Sequence, residues 1–338
     1  MGMTRRSALA GLGSLAALSI VGRGASAQDA TPQASPATGE WTFTDDAGKT
    51  VTLPQAPKVV VADLNAASSL WDFGVRPAAI SGWTVETDAA WGNVDRSTPN
   101  INANAGAPDP DIEKLLTIKP DLFVTITWGP EETSGEAPYA WSFTDEESYE
   151  RINAIVPVVG ISATGHADAN MASFAHLAEL LGADLNTPEL VEAKATFDER
   201  VAAFSEVAKA KADLASLFGS AGADQFYVAS PRDWADLSWY QQLGLNIIEP
   251  DVPPLGYWEA LSIEQAGKHQ PDVFFQSTRA GSLTKEELEK TPPYDSLPAV
   301  KAGQVAPWNQ DFIQSYQGLA AALEIMITAL TDAKKVTG

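Results

Sequence analysis

The chain has 338 residues and no cysteine. This absence excludes disulfide bridges, cysteine-ligated zinc, thiol nucleophiles and a lipidated N-terminal cysteine. Cations are also scarce, because 22 lysines and arginines stand against 44 aspartates and glutamates, and the formal charge is −22. Such a surface repels nucleic acid and anionic membranes, so we expect neither as a partner.

The signatures of metal sites and of common enzymes are missing as well. The three histidines, His166, His176 and His269, have no short spacing, which argues against zinc or manganese bound directly by the protein. The sequence has no Gly-x-Ser-x-Gly elbow, phosphate loop or His-Glu-x-x-His pattern. We therefore expect no metal site, no covalently bound cofactor and no enzymatic activity. Two other classes stay open: an exported α/β enzyme using polar residues such as Asn65 or Asp233, and an extracellular scaffold or sensor.

The N-terminus has the pattern of an export signal. Thr4-Arg5-Arg6-Ser7, which resembles a twin-arginine motif, precedes an apolar run over Ala8–Val21 that is shorter than the about 20 residues of a membrane span. Ala25-Ser26-Ala27 then predicts cleavage after Ala27. We expect a signal peptide over residues 1–27, whose loss takes the charge from −22 to −25, and a disordered linker over 28–40.

One stretch of the chain occurs twice, at residues 112–124 and 263–275. Each copy has Ile-Glu and, after six residues, Pro-Asp, one apolar residue and Phe, at a constant offset of 151 positions. The pattern predicts a short helix ended by proline and followed by a buried strand, which is one step of a parallel α/β sheet. In the first copy Ile112, Leu115 and Leu116 are expected to form the buried face of the helix, with Glu113 pointing away from it, as Glu264 does in the second. Two copies so far apart predict two sheets and therefore two lobes.

A long helix is predicted midway between the two copies. Thr187 is a suitable N-cap, Pro188 fits the first helical position, and apolar residues then recur at three- and four-residue steps to about Lys211. We predict an α/β protein of two Rossmann-like lobes with parallel sheets, at 41–186 and 212–338, joined by a connecting helix over 187–211.

Shorter patterns complete the predicted framework. Trp41–Leu53 alternates around Asp46-Ala47-Gly48-Lys49 and predicts a β-hairpin. Residues 129–148 and 250–258 are predicted loops. The other predicted strands are 59–62, 78–80, 122–127 and 156–161 in the first lobe, and 226–229, 246–249, 273–275 and 304–306 in the second.

Several large side chains directly follow predicted strands. In open parallel sheets, ligands bind beyond the carboxyl ends of the strands, and aromatic walls suit a large, partly apolar ligand. Arg279 has the geometry to hydrogen-bond ligand oxygen atoms. The alternative to a ligand contact, for each tryptophan, is that its side chain packs in a hydrophobic core. The candidate ligand-binding residues at strand ends are Asn65, Trp83, Trp128, Trp234, Arg279 and Trp308. Trp258, which lies just before the second repeat, is a further candidate.

The chain resembles the substrate-binding proteins of ABC importers for iron–siderophores, haem and vitamin B12. The resemblance covers nearly the whole mature chain and depends on the order and spacing of several motifs. Those motifs are Phe43–Pro54, Pro57–Val61, Phe73–Pro77, Ile112–Val124 and the long helix. In that family two lobes bridged by one helix hold the ligand between them, and the helix limits the hinge motion.

The resemblance also implies partners and roles. Glu113 and Glu264 match acidic residues that dock into arginine pockets of the transmembrane permease, while Trp234 and Trp258 match aromatic positions of the ligand pocket, and Trp128 does so more loosely. Since Arg232 and Arg279 are the only obvious pocket cations, a ferric hydroxamate is favoured over an anionic catecholate, with cobalamin or haem as alternatives. We expect an exported, periplasmic or extracellular monomer without a lipid anchor.

Overall fold

The computed structural model describes residues 39–128 and 142–337. The predicted signal peptide, the predicted linker up to residue 38 and the predicted loop between 129 and 141 lie outside these ranges. Within them, no helix combines the length and the apolar character needed to cross a membrane.

The described residues form strands and helices that alternate along most of the chain. The strands are β1 (Trp41–Thr44), β2 (Thr50–Leu53), β3 (Val60–Asp63), β4 (Ala79–Ser81), β5 (Leu122–Thr127), β6 (Val158–Ser162), β7 (Ser216–Ala221), β8 (Gln225–Ala229), β9 (Trp258–Ser262), β10 (Val273–Ser277) and β11 (Val305–Trp308). The α-helices are α1 (Leu64–Asp72), α2 (Asp88–Trp91), α3 (Ile112–Ile118), α4 (Glu146–Asn153), α5 (Ala167–Leu180), α6 (Pro188–Ala210), α7 (Ala235–Leu243), α8 (Lys285–Leu288), α9 (Pro298–Lys301) and α10 (Tyr316–Asp332). Short 3-10 helices cover Trp83–Glu86, Pro231–Asp233, Ile263–Lys268 and Tyr294–Ser296.

The N-terminal lobe is built on a four-stranded sheet with the order β4-β3-β5-β6, in which all pairs are parallel. Strands β3 and β5 are buried along their whole length, including the polar side chains of Asp63, Thr125 and Thr127. The burial of β5 was predicted from the repeated unit. The predicted hairpin β1–β2 is antiparallel and turns at Gly48, whose φ of +85° lies in the left-handed region that favours glycine.

The C-terminal lobe contains a five-stranded sheet with the order β11-β10-β7-β8-β9. Strands β11, β10 and β7 are parallel, and β8 and β9 extend this core as antiparallel strands at one edge. Sequence patterns predicted neither β7 nor β9. A Cβ at Gly219 in β7 would lie 2.6 Å from the carbonyl oxygen of Tyr227, so packing requires the small residue that interrupts the apolar pattern. The predicted strand at 246–249 is wrong, because only one isolated bridge, between Ile247 and Ser216, forms there.

The repeated Pro-Asp pair connects neighbouring strands in the same way in both lobes. The carboxylate of Asp121 accepts hydrogen bonds from the backbone N–H groups of Lys58 (2.8 Å) and Val59 (2.9 Å), just before β3. The carboxylate of Asp272 accepts one from the N–H of Ala215 (2.8 Å), just before β7. In each lobe the strand after the aspartate pairs with the strand that this carboxylate anchors. The duplication therefore extends to hydrogen bonds, as expected of a repeated structural unit.

The helices of the two repeats differ from the prediction in one respect. In α3 only Leu115 is fully buried, while Ile112 and Leu116 are 37% and 53% exposed. The prediction of a buried face formed by Ile112, Leu115 and Leu116 is therefore wrong, because α3 turns Leu115 and Ile118 towards the core instead. Both Glu113 and Glu264 are exposed, as predicted.

The predicted long helix is α6, which has 23 residues and a length of about 35 Å at about 1.5 Å per residue. The Thr187 side chain caps it by accepting a hydrogen bond from the Leu190 N–H at 3.3 Å. Helix α6 packs along α10, and Phe197 and Phe204 join Leu319 and Leu323 in one buried apolar cluster. Since this cluster continues into both lobes, the helix pair and the lobes share a core.

Replacing Asp272 by asparagine is expected to lower the free energy of unfolding at pH 7 by about 2 kcal/mol. Burial disfavours the ionised form, but hydrogen bonds from the Ala215 N–H, Lys335 and the N–H groups of Val336 and Thr337 outweigh it and hold the pKa of the Asp272 carboxyl well below its ordinary 3.8. Because the folded-state pKa is depressed, the stabilisation is complete above the unfolded pKa near 3.8 and is lost as the pH falls towards the folded value.

Urea denaturation of the native protein and the Asp272→Asn variant at pH 7 and pH 3 measures this difference. Asp121→Asn is the matched control and should destabilise less, because Asp121 is exposed and makes fewer bonds. A loss that is equally large at both pH values would show that the charge of Asp272 is unimportant.

Candidate functional site

A cavity lies between the two lobes, beyond the carboxyl ends of the parallel strands β5 and β10, where ligands bind in sheets of this kind. The 3-10 helix that follows β8 also borders it. The N-terminal lobe and the C-terminal lobe both contribute to its lining. The lining residues are Asn65, Ile126, Trp128 and Ala163 from the first lobe, and Asp233, Trp234, Ala235, Tyr257, Arg279, Gln310, Asp311, Phe312 and Gln314 from the second.

The lobes contact each other closely around this cavity, whose volume is about 60 Å³. The rings of Trp128 and Tyr257 approach to 5.5 Å between centroids, and the Ser238 hydroxyl donates a hydrogen bond to the carbonyl oxygen of Gly165. Pockets for drug-sized ligands measure roughly 300–1,000 Å³. A ligand of that size therefore requires the lobes to separate at these contacts.

A buried carboxylate, Asp63, fixes the N-terminal side of the site at the end of β3. One of its oxygens accepts a hydrogen bond from the Ala66 N–H (3.0 Å) and thereby caps α1, which begins just before Asn65. The other oxygen accepts from the Ile126 N–H (2.7 Å) and from the Thr125 hydroxyl (2.6 Å) in β5. Burial raises the pKa of Asp63. These bonds hold Asn65 beside the end of β5, and Asn65 in turn accepts a hydrogen bond from the Thr84 hydroxyl at 2.8 Å.

An aromatic cluster forms the opposite wall. Trp234 is half-buried and packs against Tyr257 (6.0 Å between centroids, interplanar angle 88°) and Trp258 (4.9 Å). Tyr257 has a φ of +50°, a strained value for a residue with a side chain. Its carbonyl oxygen accepts hydrogen bonds from the Ser230 N–H (2.8 Å) and the Trp234 indole N–H (3.2 Å), which hold this conformation. Tyr257 is thus fixed against Trp234 at the cavity.

Trp308 does not belong to the lining, and its predicted contact with the ligand is wrong for this structure. Its side chain is 1% exposed and packs behind Trp234 and Trp258. The indole N–H donates to the buried Asp236 carboxylate at 2.7 Å, and burial raises the pKa of Asp236 to about 7. Successive side chains at a strand end point to opposite faces, so a position after a strand does not by itself place a side chain in the cleft.

The other predicted residues divide into two groups. Asn65, Trp128, Trp234 and Arg279 line the cavity together. Trp83, 44% exposed in the 3-10 helix after β4, and Trp258, half-buried in β9, do not line it, and their contact with ligand stays a prediction.

Arg279 lines the cavity, and its positive charge is neutralised by an ion pair with Asp311. Its Nε donates to one oxygen of Asp311 at 2.7 Å and its Nη2 to the other, in a bidentate pair. The Asp311 side chain is 2% exposed and that of Arg279 is 31% exposed. The pair presents donor groups to a ligand with almost no net charge.

Sequence reasoning did not select several residues that line the cavity. Tyr257 lies one position before Trp258, and the others lie two to six positions after Trp308. The residues after Trp308 follow the same rule of polar and aromatic residues after strands, extended a few positions into the loop, whereas Tyr257 directly precedes β9 and does not follow this rule. These residues are Tyr257, Gln310, Asp311, Phe312 and Gln314.

Two further observations bear on the choice of site. Among the described residues, no group of three or more histidines, aspartates and glutamates is arranged to hold a metal ion. A larger cavity of about 710 Å³ lies between α10 and the amino-terminal ends of β10 and β11. All of its described lining residues belong to the C-terminal lobe, and it lies at the sheet edge opposite to the one where ligands bind, so we place the candidate site between the lobes.

Comparisons with known proteins agree with this architecture. The solved structure of DesE, a ferric-siderophore receptor protein from Streptomyces coelicolor, is similar with a TM-score of 0.78 and 32% identity, over 88% of this chain and 100% of that one. The catecholate-siderophore binding protein VctP from Vibrio cholerae shares the fold, with a TM-score of 0.59 and 20% identity, over 86% of this chain and 99% of the other. The Fe(3+)-citrate-binding protein YfmC of Bacillus subtilis (strain 168) is 24% identical, over 82% of this chain and 81% of its own. A family model for periplasmic binding proteins matches residues 59–312. The chain therefore belongs to the periplasmic binding protein family.

Proposed function

We propose that this protein captures a ferric siderophore between its two lobes and delivers it to an ABC importer. The observation that carries the proposal is a cavity at the carboxyl ends of strands from both lobes, walled by Trp128, Trp234 and Tyr257. The family consists of solute-binding proteins rather than enzymes. DesE is named as a receptor for a ferric siderophore, VctP as a binding protein for a catecholate siderophore, and YfmC as a binding protein for Fe(3+)-citrate. These names support the same class of ligand here.

The electrostatics of the cavity favour a hydroxamate-type chelate. A ferric tris-hydroxamate core is neutral, whereas a ferric tris-catecholate carries three negative charges and needs several cations around it. Arg279 is paired with Asp311, and Arg232 is directed to the carbonyl oxygen of Val252. Asp233 adds another negative charge to the lining. An anionic chelate would therefore meet more repulsion than attraction.

Delivery to the importer is proposed to use the repeated glutamates. Glu113 and Glu264 are exposed and occupy the same position of the repeated unit, one in each lobe. Next to Glu113, the exposed side chains of Ile112 and Leu116 offer apolar area. An acidic residue beside apolar surface fits a protein interface with arginine pockets on the partner. We further propose that residues 1–27 are removed on export and that the protein acts as a monomer.

Tryptophan fluorescence tests the ligand class, because two tryptophans, Trp128 and Trp234, line the cavity. We expect saturable quenching by a neutral ferric tris-hydroxamate, no response to free Fe³⁺, and affinity for a ferric tris-catecholate or ferric citrate weaker by about 10-fold or more, equivalent to about 1.4 kcal/mol. Haem and cobalamin in the same titration test the alternative ligands. A protein that binds none of the ferric chelates would contradict the proposed function.

A further inference from the structure

Asp233 is a buried carboxylate of the cavity lining with one oxygen left unsatisfied. It ends the 3-10 helix Pro231–Asp233 after β8, and its side chain is 4% exposed. One oxygen accepts a hydrogen bond from the Leu255 N–H at 3.0 Å. The other, Oδ2, makes no hydrogen bond with any described residue. Buried charged groups are normally paired, so an unsatisfied carboxylate oxygen in a ligand cavity indicates a partner that arrives with the ligand.

The surrounding protein supplies little positive charge to Asp233. The nearest cation, Arg232, has its Nε 3.9 Å from Oδ1, and its side chain is 43% exposed to solvent. Arg279 shares the cavity but is bonded to both oxygens of Asp311. Among the described residues, the charged side chains of the lining are Asp233, Arg279 and Asp311, whose formal charges sum to −1.

Aromatic rings border Asp233 within the same lining. Trp234 follows it in sequence and meets the Tyr257 ring at 88°, and Trp128 from the opposite lobe lies 5.5 Å from Tyr257 between ring centroids. Aromatic faces attract alkylammonium groups through their quadrupoles, most strongly where water is excluded. A carboxylate oxygen without a partner next to such faces is a suitable receptor for a primary ammonium group.

We propose that the cavity recognises a ferric chelate whose organic arm carries a protonated primary amine, and that Asp233 Oδ2 accepts hydrogen bonds from this ammonium group. The inference rests on the proposed function and refines it, because it adds a charged arm to the neutral ferric hydroxamate core. Such a ligand has a charge of +1, which complements the lining. The ammonium donates the hydrogen bonds that Oδ2 lacks.

Two linear ferric tris-hydroxamates that differ only in a free or an acetylated terminal amine test the proposal in the full chain. Hydrogen bonds to charged groups contribute about 1.5–3 kcal/mol. The native protein is therefore expected to bind the amine form at least about 10-fold more tightly than the acetylated form. In Asp233→Asn, which keeps an acceptor for the Leu255 N–H, the two affinities should agree within about two-fold. Asp251→Asn, an equal charge change at an exposed position of the neighbouring loop, should keep the native preference.

The preference is taken as the ratio of the two affinities within each protein, and thermal unfolding of all three proteins measures folding independently of ligand binding. Equal affinities of the native protein for the two chelates would overturn the inference and leave the ferric-chelate function standing. An undiminished preference in Asp233→Asn would overturn it as well. Failure of both chelates to bind the native protein would instead contradict the proposed function itself.

Discussion

Uptake of the ferric chelate is expected to fall to background when Glu113 and Glu264 are both replaced by alanine. Each glutamate is exposed, one on each lobe, and neither lines the cavity. Surface substitutions usually change stability by no more than about 0.5 kcal/mol, so affinity for the chelate should stay within about two-fold of native. Uptake of radiolabelled iron by cells that carry the variant in place of the native gene measures the first quantity, and fluorescence titration measures the second.

The matched control removes the same charge elsewhere. Glu192→Ala with Glu206→Ala changes two exposed glutamates of α6 and should leave uptake at the native level. Because the two proposed docking residues lie on different lobes, each single variant should retain partial uptake. Normal uptake by the Glu113→Ala, Glu264→Ala double variant would disprove the docking role, and a parallel loss in the α6 control would assign the effect to overall charge.

Much of the framework could be predicted because its sequence patterns are local. The Gly48 turn, the strands β3 and β5 and the long helix α6 each have a short pattern of turn, apolar or capping residues that is sufficient to specify them. The internal repeat was the strongest indication of two lobes, and its aspartates, Asp121 and Asp272, anchor neighbouring strands.

The missed elements depend on contacts that a single sequence pattern does not contain. Strand β7 is central in its sheet, and Gly219 is required by the backbone of β8 lying against it. Strand β9 begins at Trp258, directly after a proline-rich segment that predicted only a loop. The burial of Trp308 likewise follows from its neighbours, Phe218 and Trp234, which belong to distant parts of the chain.

In the candidate site, too, some residues could be predicted from local sequence patterns and others depend on tertiary contacts. Trp128 and Arg279 could be selected because ligands bind where parallel strands end, and this position can be identified from the sequence. Trp234 follows the antiparallel strand β8 and lines the cavity because the 3-10 helix Pro231–Asp233 comes between them. The pairing of Arg279 with Asp311 could not be predicted, because the two residues lie 32 positions apart and meet only after β10 and β11 have paired. That ion pair changes the chemistry of the site, since it converts an apparent anion receptor into a nearly neutral donor group.

Replacing Trp234 by alanine is expected to weaken binding of the ferric chelate by about 100-fold, or about 2.7 kcal/mol. The indole both lines the cavity and supports it, since it packs against Tyr257 and Trp258 and donates a hydrogen bond to the Tyr257 carbonyl oxygen. Its removal deletes one aromatic wall and releases a strained loop from its anchor. Isothermal titration calorimetry with the chelate measures the loss of affinity without relying on tryptophan fluorescence.

Two comparisons separate the contact with ligand from a general loss of structure. Trp234→Phe keeps an aromatic wall but loses the indole donor, so its affinity should fall by about 10-fold or less. Trp71→Ala removes a half-buried tryptophan of α1 that packs against Arg76 and does not line the cavity, so binding should be unchanged in that variant. If Trp234→Ala binds the chelate as the native protein does, the ligand cannot lie against this wall, and the cavity between the lobes is not its site.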